Sequence, residues 1–186
     1  MKKLIALVLT AVMMLCSVAF AQSEDNSLQA ILDKGTLVLG LDATFEPMGY
    51  TNLDGEIVGY DIDVAKEVCA RLGIELVLQP IEWAAKEMEL SSGNIDCIWN
   101  GMSVTPERQE SMALSEAYMN NQIVLLVCNP DFTSKDDLYA IGFRKEDVAL
   151  RDKVNEILDE MAADGTLAQI SQNWFGEDIS IVGKAE

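Results

Sequence analysis

The stretch "GYDIDVAKEVCARLGIELVLQ", residues 59 to 79, decides the predicted fold, because it joins a helix pattern directly to a strand pattern. Apolar residues recur at helical spacing between 61 and 72, and the glycine that follows, Gly73, is typical of a helix end. The apolar positions are Val64, Ala65, Val68, Cys69 and Leu72. We therefore predict a helix over 61–72 and a strand over "IELVLQ", 74–79.

The same alternation continues towards the N-terminus. A short helix starts at Ser27 and ends at Gly35, and the run "TLVLGL" over 36–41 reads as a buried strand. The residues of this helix that we expect to face inward are Leu28, Ile31 and Leu32.

Towards the C-terminus, a helix over 84–92 closes at Gly93 and leads into a strand "IDCIW", 95–99. Residues 42–60 are predicted to form a loop with a tight turn at Asp54-Gly55. Alternating strands and helices predict an α/β fold, with a mostly parallel central sheet flanked by helices. A length of 186 residues, 49% of them hydrophobic, suits one or at most two domains.

The N-terminus has the pattern of a secretory signal peptide over residues 1–21. Lys2 and Lys3 precede an apolar run over 4–15, and "AFA" precedes the expected cleavage after Ala21. An uncleaved anchor is the alternative, but this run is shorter than the ~20 residues that a membrane span needs. Cleavage leaves 11 basic against 31 acidic residues, so nucleic acid and anionic lipid are poor partners because both would be repelled.

The cysteine and histidine content restricts the chemistry. The chain has no histidine and no C-x-x-C motif, which excludes a zinc site and a histidine-based triad, and no cofactor is predicted. Three cysteines remain after cleavage, Cys69, Cys97 and Cys128, and their wide spacing indicates no disulfide framework. We expect the first two to be buried and the third to be exposed.

A second stretch, "CIWNGMSVTPER", carries the candidate chemistry. Residues 100–105 are predicted to form a loop that leads into a helix with Thr105 as N-cap and Pro106 as first residue. Ligands of open α/β sheets collect at the carboxyl ends of the strands, where Phe45 and Arg108 are expected. The guanidinium of Arg108 matches a carboxylate, although a plain surface ion pair is the alternative for this residue.

Three ordered segments resemble a known family. "GYDIDVAKEVCARL", "IDCIWNGMSVTPER" and "DATFEPMGY" resemble segments of the extracytoplasmic solute-binding proteins that deliver polar amino acids to ABC importers. With the tail from Tyr139 to Gly176, the resemblance covers nearly all of the chain after residue 21. It implies a Rossmann-like lobe, a polar amino acid as ligand and the importer's membrane subunits as partners.

The resemblance also implies roles for individual residues. Arg108 would bind the ligand's carboxylate, helped by Ser103 and by backbone groups near Gly101. Phe45 and Trp83 would enclose the aliphatic part of the ligand, with ordinary core packing as the alternative for both. Asp42 would meet the ligand's side chain, which favours a basic or amide amino acid. The implied ligand-binding set is Asp42, Phe45, Trp83, Asn100, Gly101, Ser103 and Arg108, and Asn100-Gly101 stands where many relatives have paired serines.

The chain departs from this family by lacking most of a second lobe. The outgoing strand "NQIVLLVC", 121–128, and the returning strand "YAIGF", 139–143, are separated by ten residues, which form a loop but not a lobe. We predict that residues 22–186 form one lobe, with 22–127 and 139–186 joined by a shortened linker at 128–138. The two strands are expected to pair as a hairpin.

The C-terminal part is predicted to be helical. Asp147 is the expected N-cap and Gly165 the expected end of a helix. The inward residues of this helix are predicted to be Leu150, Val154, Ile157, Leu158 and Met161.

Three functions follow from a single lobe. The first is weak binding of a polar amino acid in half a site, because no second lobe closes over the ligand. The second is an interaction or sensory module without tight ligand binding, and the third is a dehydratase built on the same fold. Self-association by strand exchange at the loop that contains Pro130 is an additional hypothesis.

Overall fold

The computed structural model describes residues 25–123 and 135–184, and the predicted signal peptide lies outside them. The helices are α1 (Ser27–Lys34), α2 (Tyr60–Leu72), α3 (Lys86–Ser91), α4 (Pro106–Ser111), α5 (Val148–Asp164) and α6 (Thr166–Phe175), with a 3₁₀ turn at Trp83–Ala85. The strands are β1 (Thr36–Leu41), β2 (Thr44–Phe45), β3 (Gly49–Thr51), β4 (Ile57–Val58), β5 (Glu75–Pro80), β6 (Cys97–Ser103), β7 (Met112–Leu114), β8 (Met119–Ile123) and β9 (Lys135–Arg144). Within the described ranges, no helix is both long and apolar enough to cross a membrane.

The central sheet has the strand order β5-β1-β6-β9-β7, and β8 pairs with the first half of β9 beside β7. The strands β5, β1 and β6 are parallel, as helix crossovers require. The returning strand β9 is antiparallel to β6, β7 and β8. The α/β fold with a helix-flanked central sheet is confirmed, but the sheet is mixed rather than mostly parallel, because β9 runs against all three of its neighbours.

The region 42–60 is more ordered than the predicted loop. It forms a small antiparallel sheet in the order β2-β3-β4. The predicted turn at Asp54-Gly55 joins β3 to β4, and the Gly55 N–H donates to the carbonyl of Asn52 at 3.0 Å. Cross-strand pairing over only two or three residues leaves no clear apolar alternation in the sequence, which is why these strands were not predicted.

The strand β6 continues through Ser103, whereas the sequence predicted a loop over 100–105. Its last residues pair with β9, with Met102 opposite Ala140 and Ser103 opposite Tyr139. Pairing with a strand that lies 36 or more residues further along the chain extends β6, and a local pattern cannot reveal such a partner. The predicted N-cap is present: the Thr105 hydroxyl accepts the Arg108 backbone N–H at 3.3 Å.

The two crossover strands pair as an antiparallel hairpin. Met119 lies opposite Tyr139, and the register continues to Ile123 opposite Lys135. Both strands are shifted relative to the prediction, since the outgoing strand begins at Met119 and the returning strand at Lys135. The connection, with Cys128 and Pro130, lies outside the described residues.

Apolar residues are buried on both faces of the central sheet. The larger cluster packs α2, α5 and α6 against one face, and it includes Trp99 and all five predicted inward residues of α5. The smaller cluster on the other face is Leu90, Ile95, Ile98, Met102 and Met112. Cys69 and Cys97 are buried free thiols, as predicted.

Two local expectations at the helices are met only in part. In α1, Ile31 is buried but Leu32 is 36% exposed. Asp147 occupies the N-cap position of α5, but its side chain makes no capping hydrogen bond and pairs instead with the Arg144 Nε at 2.7 Å. An ion pair with a neighbour that projects from the end of β9 therefore replaces the cap. Gly165 ends the helix in the left-handed conformation, as predicted.

Candidate functional site

A cavity of about 300 Å³ opens where β1, β6 and β9 meet. Its lining residues are Asp42, Phe45, Trp83, Asn100, Gly101, Ser103, Asn121, Asp137 and Tyr139. Six of the seven residues that the sequence indicated for ligand binding are in this set, and Arg108 is the exception.

The parallel pairing of β1 and β6 brings two of these residues together. Asp42 directly follows β1, and Asn100 lies in the second half of β6. The Asp42 backbone N–H donates to the Asn100 Oδ1 at 3.1 Å, which ties the two strand ends to each other. The meeting of carboxyl ends that was predicted from strand order therefore forms this wall of the cavity.

The two predicted aromatic residues differ in their surroundings. Phe45 is 41% exposed, so core packing does not explain it. Trp83 is half-buried and packs at the margin of the smaller core cluster. The Lys86 Nζ lies 5.0 Å from the centre of the Trp83 ring, in cation–π range. Burial, with the charge of Arg108 as a second cause, lowers the pKa of Lys86.

Arg108 lies beside the cavity rather than in its lining. It is half-buried in the first turn of α4, and its Nη1 donates to the carbonyl of Ser103 at 2.6 Å. This contact uses one of the five N–H donors of the guanidinium and holds its positive charge beside Ser103, at one end of the cavity. Among the described residues, the contact of the Arg108 guanidinium is with this backbone carbonyl, and the ion pairs found there do not include Arg108.

Gly101 forms a crowded part of the cavity wall. Its φ is +56°, in the left-handed region, and a Cβ added there would lie 2.8 Å from Phe45 Cε1 and 3.0 Å from Tyr139 Cε2. These constraints favour glycine at this position over any residue with a side chain. The Gly101 N–H points inward and donates to Asp61 Oδ2 at 2.7 Å, so it is not the free backbone donor that the sequence led us to expect.

Asp61 is a buried carboxylate directly behind this wall. Its side chain is fully buried, and burial raises its pKa to about 7, although interactions with Tyr118, the Gly101 N–H and Trp99 oppose that shift. Its second oxygen, Oδ1, has no hydrogen-bond partner among the described residues. Such a carboxyl group titrates between weakly acidic and neutral pH, where free aspartate is already ionised.

Three residues that line the cavity were not predicted from the sequence: Asn121, Asp137 and Tyr139. Tyr139 pairs with Ser103, and Asn121 pairs with Asp137, so these four side chains share one face of the sheet. Asp137 Oδ2 accepts hydrogen bonds from the Ser103 Oγ at 2.6 Å and from the Asn121 Nδ2 at 3.2 Å. If the returning strand had been predicted to begin at residue 135 instead of 139, the alternation of side chains along it would have placed both Asp137 and Tyr139 on this face.

Two curated relatives match different lengths of this chain. The L-cystine-binding protein TcyJ of Escherichia coli is 29% identical over 105 residues, which cover 56% of this chain and 40% of TcyJ. The probable amino-acid-binding protein YxeM of Bacillus subtilis is 24% identical along 266 alignment positions, which cover 99% of each protein. Because this chain has 186 residues, at least 80 of those 266 positions have no counterpart in it.

Among solved structures, the arginine-bound form of domain 1 from TmArgBP is similar to this chain. It is 34% identical with a TM-score of 0.60, and the match covers 70% of this chain and 97% of that domain. The family model described as bacterial extracellular solute-binding proteins, family 3, matches residues 37–177, well over half of the chain. The chain therefore belongs to the bacterial extracellular solute-binding proteins of family 3.

Proposed function

We propose that this protein is an extracytoplasmic, single-lobed binding protein for a basic amino acid, exported by residues 1–21 and working with an ABC importer. The observation that carries the proposal is the cavity at the carboxyl ends of β1 and β6, lined by six of the predicted residues and flanked by Arg108. Aromatic and carboxylate groups line one small cavity, and a guanidinium lies beside it. A zwitterionic ligand with a positively charged side chain needs all three.

The charges of the cavity favour a basic side chain over an amide. Asp42 and Asp137 both line it, together with the aromatic rings of Phe45, Trp83 and Tyr139. Carboxylates attract a cationic head group, and aromatic faces attract it further through cation–π interactions. The similarity to an arginine-bound single domain supports the same class of ligand, and it supports binding by one lobe.

Binding is expected to be weak because one lobe supplies only part of the contacts. The unmatched positions in the YxeM alignment support the loss of an internal segment, the second lobe, rather than its rearrangement. The β8–β9 hairpin, in which the two crossover strands pair with each other, supports the same interpretation. Absence of two or three charge-assisted hydrogen bonds, at ~1.5–3 kcal/mol each, weakens binding on the order of 10³-fold. Dissociation constants from high micromolar to millimolar follow. A submicromolar constant for the monomer would contradict a half-site.

The family consists mainly of solute-binding proteins without enzymatic activity, and we propose that this chain is not an enzyme. A cyclohexadienyl dehydratase is among its relatives at 27% identity over 60% of this chain. In the cavity, however, Asp42 accepts hydrogen bonds from the backbone and hydroxyl of Thr44 and is only half-buried. A carboxylate of this kind lacks the burial that prepares a general acid.

The proposal is tested by an amide-shift titration with L-arginine, L-lysine, L-glutamine, L-glutamate and L-cystine. L-Arginine and L-lysine are expected to shift the amides of Asn100 to Ser103, and L-glutamate is not. Replacement Arg108→Ala is expected to weaken L-arginine binding at least tenfold, since a charge-assisted contact is lost.

The matched control is Arg151→Ala, which removes the same side chain from α5, where it bonds to Asp152 and the Leu114 carbonyl. It is expected to leave the titration unchanged. If no amino acid shifts the cavity amides at tens of millimolar, the binding function is wrong and the interaction module is the better account. If Arg108→Ala binds L-arginine as the wild type does, the carboxylate anchor is wrong.

A further inference from the structure

Asp137 is a carboxylate of the cavity that has no cationic partner among the side chains that the structure describes. It accepts from the Ser103 Oγ, the Asn121 Nδ2 and the Leu138 backbone N–H, at 2.6, 3.2 and 3.0 Å. All three donors are neutral groups. No lysine or arginine whose side chain the structure describes lies within ion-pair distance of Asp137.

The hydrogen bonds of Asp137 leave room for one more donor. An ionised carboxylate has about four acceptor positions, and three are used by protein groups. The three donors fix the orientation of the carboxylate, which reduces the entropy lost when a ligand binds. A fixed negative charge that faces a cavity is a site for a positively charged nitrogen.

The position of Asp137 relative to Arg108 indicates which nitrogen this is. Ser103 contacts both residues: its carbonyl accepts from the Arg108 Nη1, and its hydroxyl donates to Asp137 Oδ2. A carboxylate held by Arg108 and an ammonium held by Asp137 would thus lie on either side of one residue. In an α-amino acid these two charged groups are attached to the same carbon. Asp42 is hydrogen-bonded to Asn100, which precedes Ser103 by three residues, or roughly 10 Å, along β6.

We propose that Asp137 binds the α-ammonium group of the ligand, so that this lobe supplies acidic and basic partners for both charged groups of the amino acid backbone. The inference rests on the proposed function and adds a residue of the β8–β9 hairpin to the site. It assigns Asp42 to the side chain and Asp137 to the backbone of the ligand. The hairpin is therefore a part of the binding surface and not only a connection.

The test compares three probes by amide-shift titration: L-arginine, 5-guanidinopentanoic acid, which lacks the α-amino group, and agmatine, which lacks the carboxylate. The wild type is expected to prefer L-arginine over 5-guanidinopentanoic acid about tenfold, the size of one charge-assisted hydrogen bond. Asp137→Asn is expected to reduce this preference to within about twofold. Its preference for L-arginine over agmatine, which depends on Arg108, is expected to persist.

The matched variant is Asp42→Asn, which removes an equal charge from the same cavity. This variant is expected to bind all three guanidinium probes more weakly and still to prefer L-arginine over 5-guanidinopentanoic acid. Asp137→Glu restores the charge and is expected to recover part of that preference. Asp137→Ser repeats the comparison with a smaller side chain, in case the asparagine variant does not fold.

The outcomes separate this inference from the function on which it rests. If L-arginine binds in an Arg108-dependent way and Asp137→Asn keeps the full α-amino preference, the role of Asp137 is wrong and the proposed function stands. Tighter L-arginine binding by Asp137→Asn overturns the inference too, because Asp137 would then occupy the place of the ligand's carboxylate. If the wild type binds none of the probes, both are wrong.

Discussion

In the Asp61→Asn variant, the free energy of unfolding is expected to fall much less between about pH 4 and pH 7 than it does in the wild type. Burial raises the pKa of Asp61 to about 7, whereas the unfolded chain titrates near 3.8. Between these values the folded state holds a proton that the unfolded state has released, so the free energy of unfolding falls as pH rises. A shift of about three units corresponds to at most about 4 kcal/mol. Asparagine stays neutral and keeps an acceptor oxygen for the Gly101 N–H.

Urea unfolding at half-unit steps from pH 4 to pH 7.5 measures this effect. The control is Asp54→Asn, since Asp54 is an exposed carboxylate in the β3–β4 turn and its loss changes the net charge equally. A net charge of −18 destabilises the compact state progressively as carboxylates ionise, so only the difference between the two variants reports on Asp61. Asp164, whose pKa is lowered to about 2 chiefly by Thr166, titrates below this range. Parallel curves for Asp61→Asn and Asp54→Asn would show that burial does not perturb Asp61.

Elements that depend on local sequence were predictable, and elements that depend on distant partners were not. The helix over 61–72 needs only its own apolar spacing and Gly73, and the structure has it at Tyr60–Leu72. The end of β6, in contrast, exists because Ser103 meets Tyr139 across the sheet. The strands β2 to β4 are likewise held by pairing over two or three residues, too few to leave a periodic pattern.

The candidate site divides in the same way. The wall formed by β1 and β6 follows from the meeting of parallel strand ends, and it brings together Asp42 and Asn100, two residues that the resemblance indicated for ligand binding. The wall formed by the β8–β9 hairpin, with Asp137, depends on a register that the sequence does not reveal. Asp61 was not predicted as a buried group, since an aspartate in the first turn of a helix is usually an exposed charge that favours the helix dipole.

The Gly59→Ala variant is expected to lose more than about 3 kcal/mol of stability, because the methyl group has no space and the backbone is strained. Gly59 has a φ of +149°, and a Cβ there would lie 2.2 Å from the Met48 carbonyl oxygen and 2.8 Å from Gly49 Cα. These are backbone atoms at the start of β3. They are held in place because the Asp61 N–H donates to the Met48 carbonyl at 3.0 Å and the Tyr60 N–H to the Pro47 carbonyl at 2.9 Å.

A matched substitution separates the two causes. Gly55→Ala introduces the same methyl group at a φ of +82° with no atom within 4 Å, so its cost is the strain alone, roughly 1–2 kcal/mol. Urea unfolding of both variants at constant pH gives the difference. A much larger loss for Gly59→Ala means that close contact between the start of α2 and β3 holds the small sheet, and with it Phe45, against the main lobe. If the two variants lose equal stability, that contact has room to relax, and the position of Phe45 beside Gly101 must depend on other interactions.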